Sequence, residues 1–183
     1  MSRFPDIGLL VLAVTLLCST SVAAQGYGDD RAAIENLQGR YVLAMDFNDP
    51  DEYAGVFAED GVLDWAGGEV VGREAIRKFM MDGVYNLSRN AQAAAWPATT
   101  RHFITNQVIE VYGDTAKAVT YWFQVNNNAA SREAAYGLFG HYEDELARID
   151  GEWLFTRRTI YNEGIQTRAR AGMENPAPEK ANE

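Results

Sequence analysis

From Arg101 to Tyr161 the chain reads as four long segments in two-residue alternation: Arg101 to Tyr112, Thr115 to Asn126, Tyr136 to Ile149 and Trp153 to Tyr161. Alternation sustained over such lengths puts successive side chains on opposite faces of a sheet and does not suit a helix. The separators Gly113-Asp114 and Asp150-Gly151 fit tight hairpin turns, because Gly and Asp tolerate the positive φ that those turns need. Asn126 to Arg132 is a looser connection. The C-terminal half is therefore an antiparallel meander.

The N-terminal half has the other periodicity. Asp29 and Asp30 supply N-cap and first-turn carboxylates for a helix reaching about Phe47, with Ile34, Leu37, Tyr41 and Met45 on one face. Asp46 stands at its end. Asn48-Asp49-Pro50-Asp51-Glu52 is a second helix start, with a cap residue, an early Pro and acids beside the positive pole. This short helix is expected to bury Tyr53, Val56 and Phe57. Gly61 to Trp65, a Gly67-Gly68 turn and Glu69 to Val71 form a small hairpin, and Gly72 to Met81 a third helix with Ala75, Ile76, Phe79 and Met80 inward. Asp82 to Thr99, rich in Ala and Asn and closed by Trp96-Pro97, has no clear periodicity. The order implies an α+β fold: a curved antiparallel sheet forming a cone-shaped barrel, covered on one side by three N-terminal helices. The interior of such a cone is a natural small-molecule site.

Residues outside this pattern speak to location. Ile7 to Val22 is an apolar run preceded by Arg3 and followed by Ala23-Ala24, which fits a signal peptide over 1–24 with cleavage after Ala24. The expectation is an exported protein, periplasmic or secreted, with its domain over 25–165. The single cysteine, Cys18, falls inside the leader, so the exported chain has no thiol chemistry. Residues 166–183, ending in a Pro-containing charged stretch, are expected to be disordered. With 16 basic and 26 acidic residues the formal charge is −10, and Arg3 and Asp6 cancel, so the acidity belongs to the exported part. An acidic chain repels nucleic-acid phosphates and anionic membrane surfaces.

No glycine-rich phosphate loop, nucleophile elbow or His/Cys metal spacing occurs. No cofactor and no metal are expected. Two histidines, His102 and His141, are the available imidazoles. By strand parity His141 lies opposite in sense to Tyr142, on the outer or interface face.

The runs Gln38 to Asp46, Val56 to Val62 and Gly72 to Ile76, followed by Thr100 to Phe103, Asn106, Gly113 to Ala116 and Gly151 to Arg158, resemble the SnoaL-like branch of the nuclear transport factor 2-like superfamily. The resemblance spans Asp29 to Asn162. Scytalone dehydratase, hexachlorocyclohexane dehydrochlorinase and bile-acid 7α-dehydratase in that superfamily share an Asp–His dyad, and the matching positions are Asp46 and His102. Tyr41 matches a tyrosine five residues before the dyad aspartate of the bile-acid enzyme. Arg158 matches a cavity-facing arginine, and Trp65 falls near a pocket aromatic of the dehydrochlorinase. The segment Asp82 to Thr99 is longer than the resemblance leads one to expect.

The resemblance implies a cofactor-independent lyase (dehydratase) or isomerase acting on a small, largely apolar hydroxylated or carbonyl-bearing molecule. His102 would be the base and Asp46 its orienting partner; Tyr41 would donate to a leaving hydroxyl or oxyanion, and Arg158 would hold a polar end of the substrate. The alternative is a non-catalytic small-ligand-binding protein. Members of this superfamily pair through the sheet's outer face, so a homodimer or homotrimer is expected.

Each residue also has a structural reading. His102 fits a partly buried strand histidine, Asp46 a helix-end carboxylate, and Tyr41 a core tyrosine. With a two-residue turn at Asp150-Gly151, Arg158 stands opposite Glu143; a one-residue change of register puts Asp144 there. Trp65, Trp122 and Phe139 serve equally as core or as cavity wall.

Overall fold

The computed structural model describes residues 26–85, 99–127, 130–164 and 174–181. The expected signal peptide, its cleavage point, and residues 86–98 of the unassigned connection lie outside them. Helix α1 spans Tyr27–Phe47, capped by Gly26 without a side-chain bond. The expected capping role of Asp29 and Asp30 is thus corrected: both lie inside the first turn, and Asp30 is drawn into the core by Arg148 and Trp153. Asn48 ends α1 in the left-handed region, at φ 57°. Helix α2, Pro50–Gly55, begins as its sequence suggests, with Asp49 Oδ1 accepting the Glu52 N–H at 3.0 Å.

Phe57 departs from expectation. It opens strand β1, Phe57–Trp65, and does not close α2. The last strand explains this, since the Phe155 N–H donates to Val56 O at 3.0 Å and Phe57 pairs with Phe155 in parallel. Strand β2, Gly68–Val71, completes the small hairpin, and α3 covers Arg73–Met80, followed by a π-helical turn at Met81–Tyr85. Strands β3 (Thr100–Tyr112), β4 (Thr115–Asn126), β5 (Ala135–Ile149) and β6 (Glu152–Asn162) form the expected meander. Asp150 and Gly151 both take positive φ, as a primed hairpin turn requires.

The strand order is β2-β1-β6-β5-β4-β3, so the sheet is curved but does not close into a barrel. Helix α1 reaches the β3 edge. Its Tyr27 hydroxyl donates to Ile109 O at 3.0 Å, and its Asp46 carboxylate accepts the His102 N–H at 2.8 Å. Strand groups left without a strand partner are thereby occupied. The core lies between helices and sheet. Ile34, Leu37 and Tyr41 of α1, with Ile76 and Met80 of α3, belong to one cluster with Trp122, Tyr142, Leu146, Trp153 and Phe155. Gly140 permits close approach within the curve, because a Cβ there would sit 2.0 Å from Tyr161 O.

Part of the C-terminal tail, residues 174–181, is among the described residues. They run along the outer face, with Pro176 and Pro178 over a cavity of about 220 Å³ that Lys117, Glu143, Glu145 and Arg157 also line. The Ala181 N–H donates to Glu110 at 3.1 Å, and the Tyr112 hydroxyl to Glu179 O. Two prolines lower the entropy lost in fixing such a segment.

Candidate functional site

Asp46 is the penultimate residue of α1, where the negative pole of the helix disfavours a carboxylate. The donors that hold it come from β3. His102 donates its backbone N–H to Oδ2 at 2.8 Å and brings ring Nδ1 to 2.6 Å from Oδ1. Arg101 donates to the Asp46 carbonyl at 3.1 Å and lies over the Phe47 ring, placing a cation at the helix end. The Asp46 side chain is 5% exposed and that of His102 16%. A carboxylate at Nδ1 selects the Nδ1–H tautomer and leaves the Nε2 lone pair free to act as a base.

From His102 an aromatic wall runs inward. Trp122 lies 6.2 Å from the His102 ring, Tyr142 is stacked on Trp122 at 5.8 Å, and Tyr41 meets Tyr142 edge-on at 5.9 Å. The hydroxyls of Tyr41 and Tyr53 are 2.9 Å apart. Burial pushes the hydroxyl of Tyr41 above the ordinary tyrosine range, against the opposing pull of Arg158, and those of Tyr53 and Tyr142 well above it. All three remain neutral donors at working pH.

Arg158 is fully buried and stands opposite Asp144. The turn pairs Ile149 with Glu152 as the two-residue reading has it, but a bulge in β6 makes Thr156 an extra residue and shifts the register by one. Glu143 is therefore not its partner. Arg158 Nε and Nη2 reach the two Asp144 oxygens at 2.8 Å each, Nη2 also donates to Gln38 Oε1, and Gln38 Nε2 donates to Asp144 at 2.7 Å. The rings of Tyr41, Tyr142 and Phe155 lie 4.0–4.2 Å from the guanidinium carbon. Burial opposes its charge, and Asp144 overcomes that and holds its pKa above the usual arginine value.

The remaining residues take other places. Trp65 is partly exposed and meets Phe79 of α3 at 5.0 Å. His141 lies on the face opposite Tyr142, buried, with Nδ1 3.0 Å from Glu163, Nε2 3.4 Å from Glu143 and its ring stacked on Tyr161 at 4.7 Å. The sheet separates it from the dyad. Sequence reasoning missed Gln38, Tyr53 and Tyr142 as site residues. Gln38 carried a signal, a polar residue four positions after Ile34 on the apolar face of α1.

The order of elements and the Asp46–His102 contact can be set beside known proteins. Residues 28–159 match the family model of the SnoaL-like domain. Among proteins of curated function, none matches the chain. A protein of unknown function from Mycobacterium tuberculosis (Rv3472) is 27% identical, with 76% of this chain and 77% of that one covered at a TM-score of 0.61. A candidate scytalone dehydratase of Novosphingobium aromaticivorans is 24% identical over 80% and 95% of the two chains, at a TM-score of 0.63. A Catenulispora acidiphila protein in complex with S-DNPA is 24% identical over 75% and 96%, at a TM-score of 0.59. The last two likenesses show a shared fold. With a family model matched from the first turn of α1 to the last strand, the chain belongs to the SnoaL-like domain family.

Proposed function

We propose that this chain is an exported, cofactor-independent lyase of the dehydratase type, or an isomerase, acting on a small, largely apolar molecule that carries a hydroxyl or carbonyl. The carrying observation is the 2.6 Å contact between His102 Nδ1 and the buried Asp46 carboxylate. In this reading Nε2 removes a proton beside an activating group, and Asp46 stabilises the imidazolium that forms. Trp122 and Tyr142 form the wall along which the substrate lies, and the Tyr41–Tyr53 pair supplies a neutral hydroxyl further in. The fold shared with a candidate scytalone dehydratase, and with a protein complexed with S-DNPA, supports a small-molecule role.

A second reading, a non-catalytic binding protein, draws on a different observation. Tyr41 and Arg158 are both engaged inside the protein, with Tyr53 and with Asp144 and Gln38, and so serve as walls. Incubation with a panel of β-hydroxy carbonyl compounds, followed by mass spectrometry, separates the two. The lyase reading expects a product lighter by one water with the parent protein and none with His102→Ala at an unchanged thermal midpoint. Equal turnover by both proteins would sink it.

The outer face carries Phe103, Tyr121, Tyr136 and Phe139 exposed, which supports pairing of copies through the sheet as a homodimer or homotrimer. Sedimentation equilibrium tests it, and a monomer at micromolar concentration would contradict it.

A further inference from the structure

We propose that the indole N–H of Trp122 holds the carbonyl oxygen of the substrate, and that the substrate is an uncharged ketone or aldehyde whose acidic C–H meets His102. The assignment rests on His102 acting as the base. Trp122 is 5% exposed, and its Nε1 has no hydrogen-bond partner among the described residues. An indole nitrogen only donates, and a buried one nearly always finds an acceptor. This one is left for a ligand.

Its position suits the reaction. The Trp122 ring stands between the His102 ring, at 6.2 Å, and Tyr142, on which it stacks at 5.8 Å, so its orientation is fixed from both sides. Removing a proton next to a carbonyl moves the C–H electrons into a carbon–carbon double bond and the carbonyl π electrons onto oxygen. Bound across the edges of both rings, a C–C=O fragment can set its C–H at the imidazole and its oxygen at the indole N–H, each about 3 Å away. Collapse of the enolate expels a β-hydroxide. That group takes the proton back from the imidazolium and leaves as water, and His102 returns to its neutral form.

The charge balance sets the substrate class. Asp46 brings a negative charge to this end of the site, and the Arg158 cation is neutralised by Asp144. Besides Trp122 Nε1, Thr120 Oγ1 and Arg158 Nη1 are buried on the inner face without a hydrogen-bond partner among the described residues, so the wall offers neutral or balanced donors. A carboxylate would add a second negative charge beside Asp46. A carbonyl oxygen needs only a donor.

Three isosteric probes test this: acetophenone, α-methylstyrene, which lacks the oxygen, and benzoate. In nitrogen-15 proton-correlation spectra of the intact protein, acetophenone is expected to move the Trp122 indole N–H downfield, and α-methylstyrene to leave it in place. Trp122→Phe keeps an aromatic ring and should weaken acetophenone about tenfold while α-methylstyrene binds as before, and benzoate should bind the parent protein less well than acetophenone. An unmoved indole resonance, absence of acetophenone binding, or stronger binding of benzoate would each overturn the proposal. The wild-type resonance gives this answer even if Trp122→Phe fails to fold. His102→Ala is expected to keep the acetophenone shift whether or not His102 is the base, so the two claims fail separately.

Discussion

Arg158 and Asp144 face each other across β6 and β5 because Thr156 is one residue too many for a regular ladder. Two bonds of 2.8 Å join them, both side chains are fully buried, and Gln38 closes the ring. Removing one partner strands a buried charge, which costs about 3–5 kcal/mol. Asp144→Ala should lose that much in urea unfolding. Glu143→Ala, on the outer face, should lose no more than about 1 kcal/mol. Replacing the pair together, as Asp144→Leu with Arg158→Met, should recover most of the loss, since apolar substitution of a buried pair is often near neutral.

Asp30 is a second internal anchor. Its carboxylate accepts Arg148 at 2.8 and 2.9 Å and the Trp153 indole at 3.1 Å, tying the first turn of α1 to the β5–β6 hairpin. Asp30→Asn should cost about 2–3 kcal/mol by thermal unfolding, with the mutant otherwise folded. Asp29→Asn, in the same turn and exposed, should change stability by less than about 0.5 kcal/mol.

The buried tyrosines set an alkaline limit. Burial raises the hydroxyl pKa of Tyr41, and raises those of Tyr53 and Tyr142 well above the ordinary value. A raised folded pKa gives stability that is full below the unfolded value of about 10 and is lost as pH climbs through the folded values. These three should ionise only as the protein unfolds. Tyrosinate absorbance and circular dichroism followed together should show a late absorbance step coincident with unfolding; a late step preceding loss of structure would contradict this.

Much of the fold was legible because its patterns are local. The strands β3 to β6 begin and end within one residue of where alternation and the Gly-Asp turns place them, and Ile34, Leu37 and Tyr41 face the core as their spacing implies. Local patterns do not report long-range register. The bulge at Thr156 decided between Glu143 and Asp144 for Arg158, and the parallel pairing with Phe155 drew Phe57 out of α2. Asp30 read as a first-turn acid because its partners lie more than a hundred residues away. The dyad positions came from resemblance. Nothing in the spacing of Asp46 and His102 reveals that a helix end and an edge strand meet.

In the proposed mechanism Asp46 holds His102 as the Nδ1–H tautomer with a basic Nε2. Long-range proton–nitrogen correlation of the imidazoles at neutral pH reads this directly, with His141→Gln assigning the two rings. The expected spectrum of His102 shows a pyrrole-type Nδ1 and a pyridine-type Nε2, and Asp46→Asn changes that pattern. A protonated Nε2 beside a pyridine-type Nδ1 in the parent protein would contradict this role of Asp46.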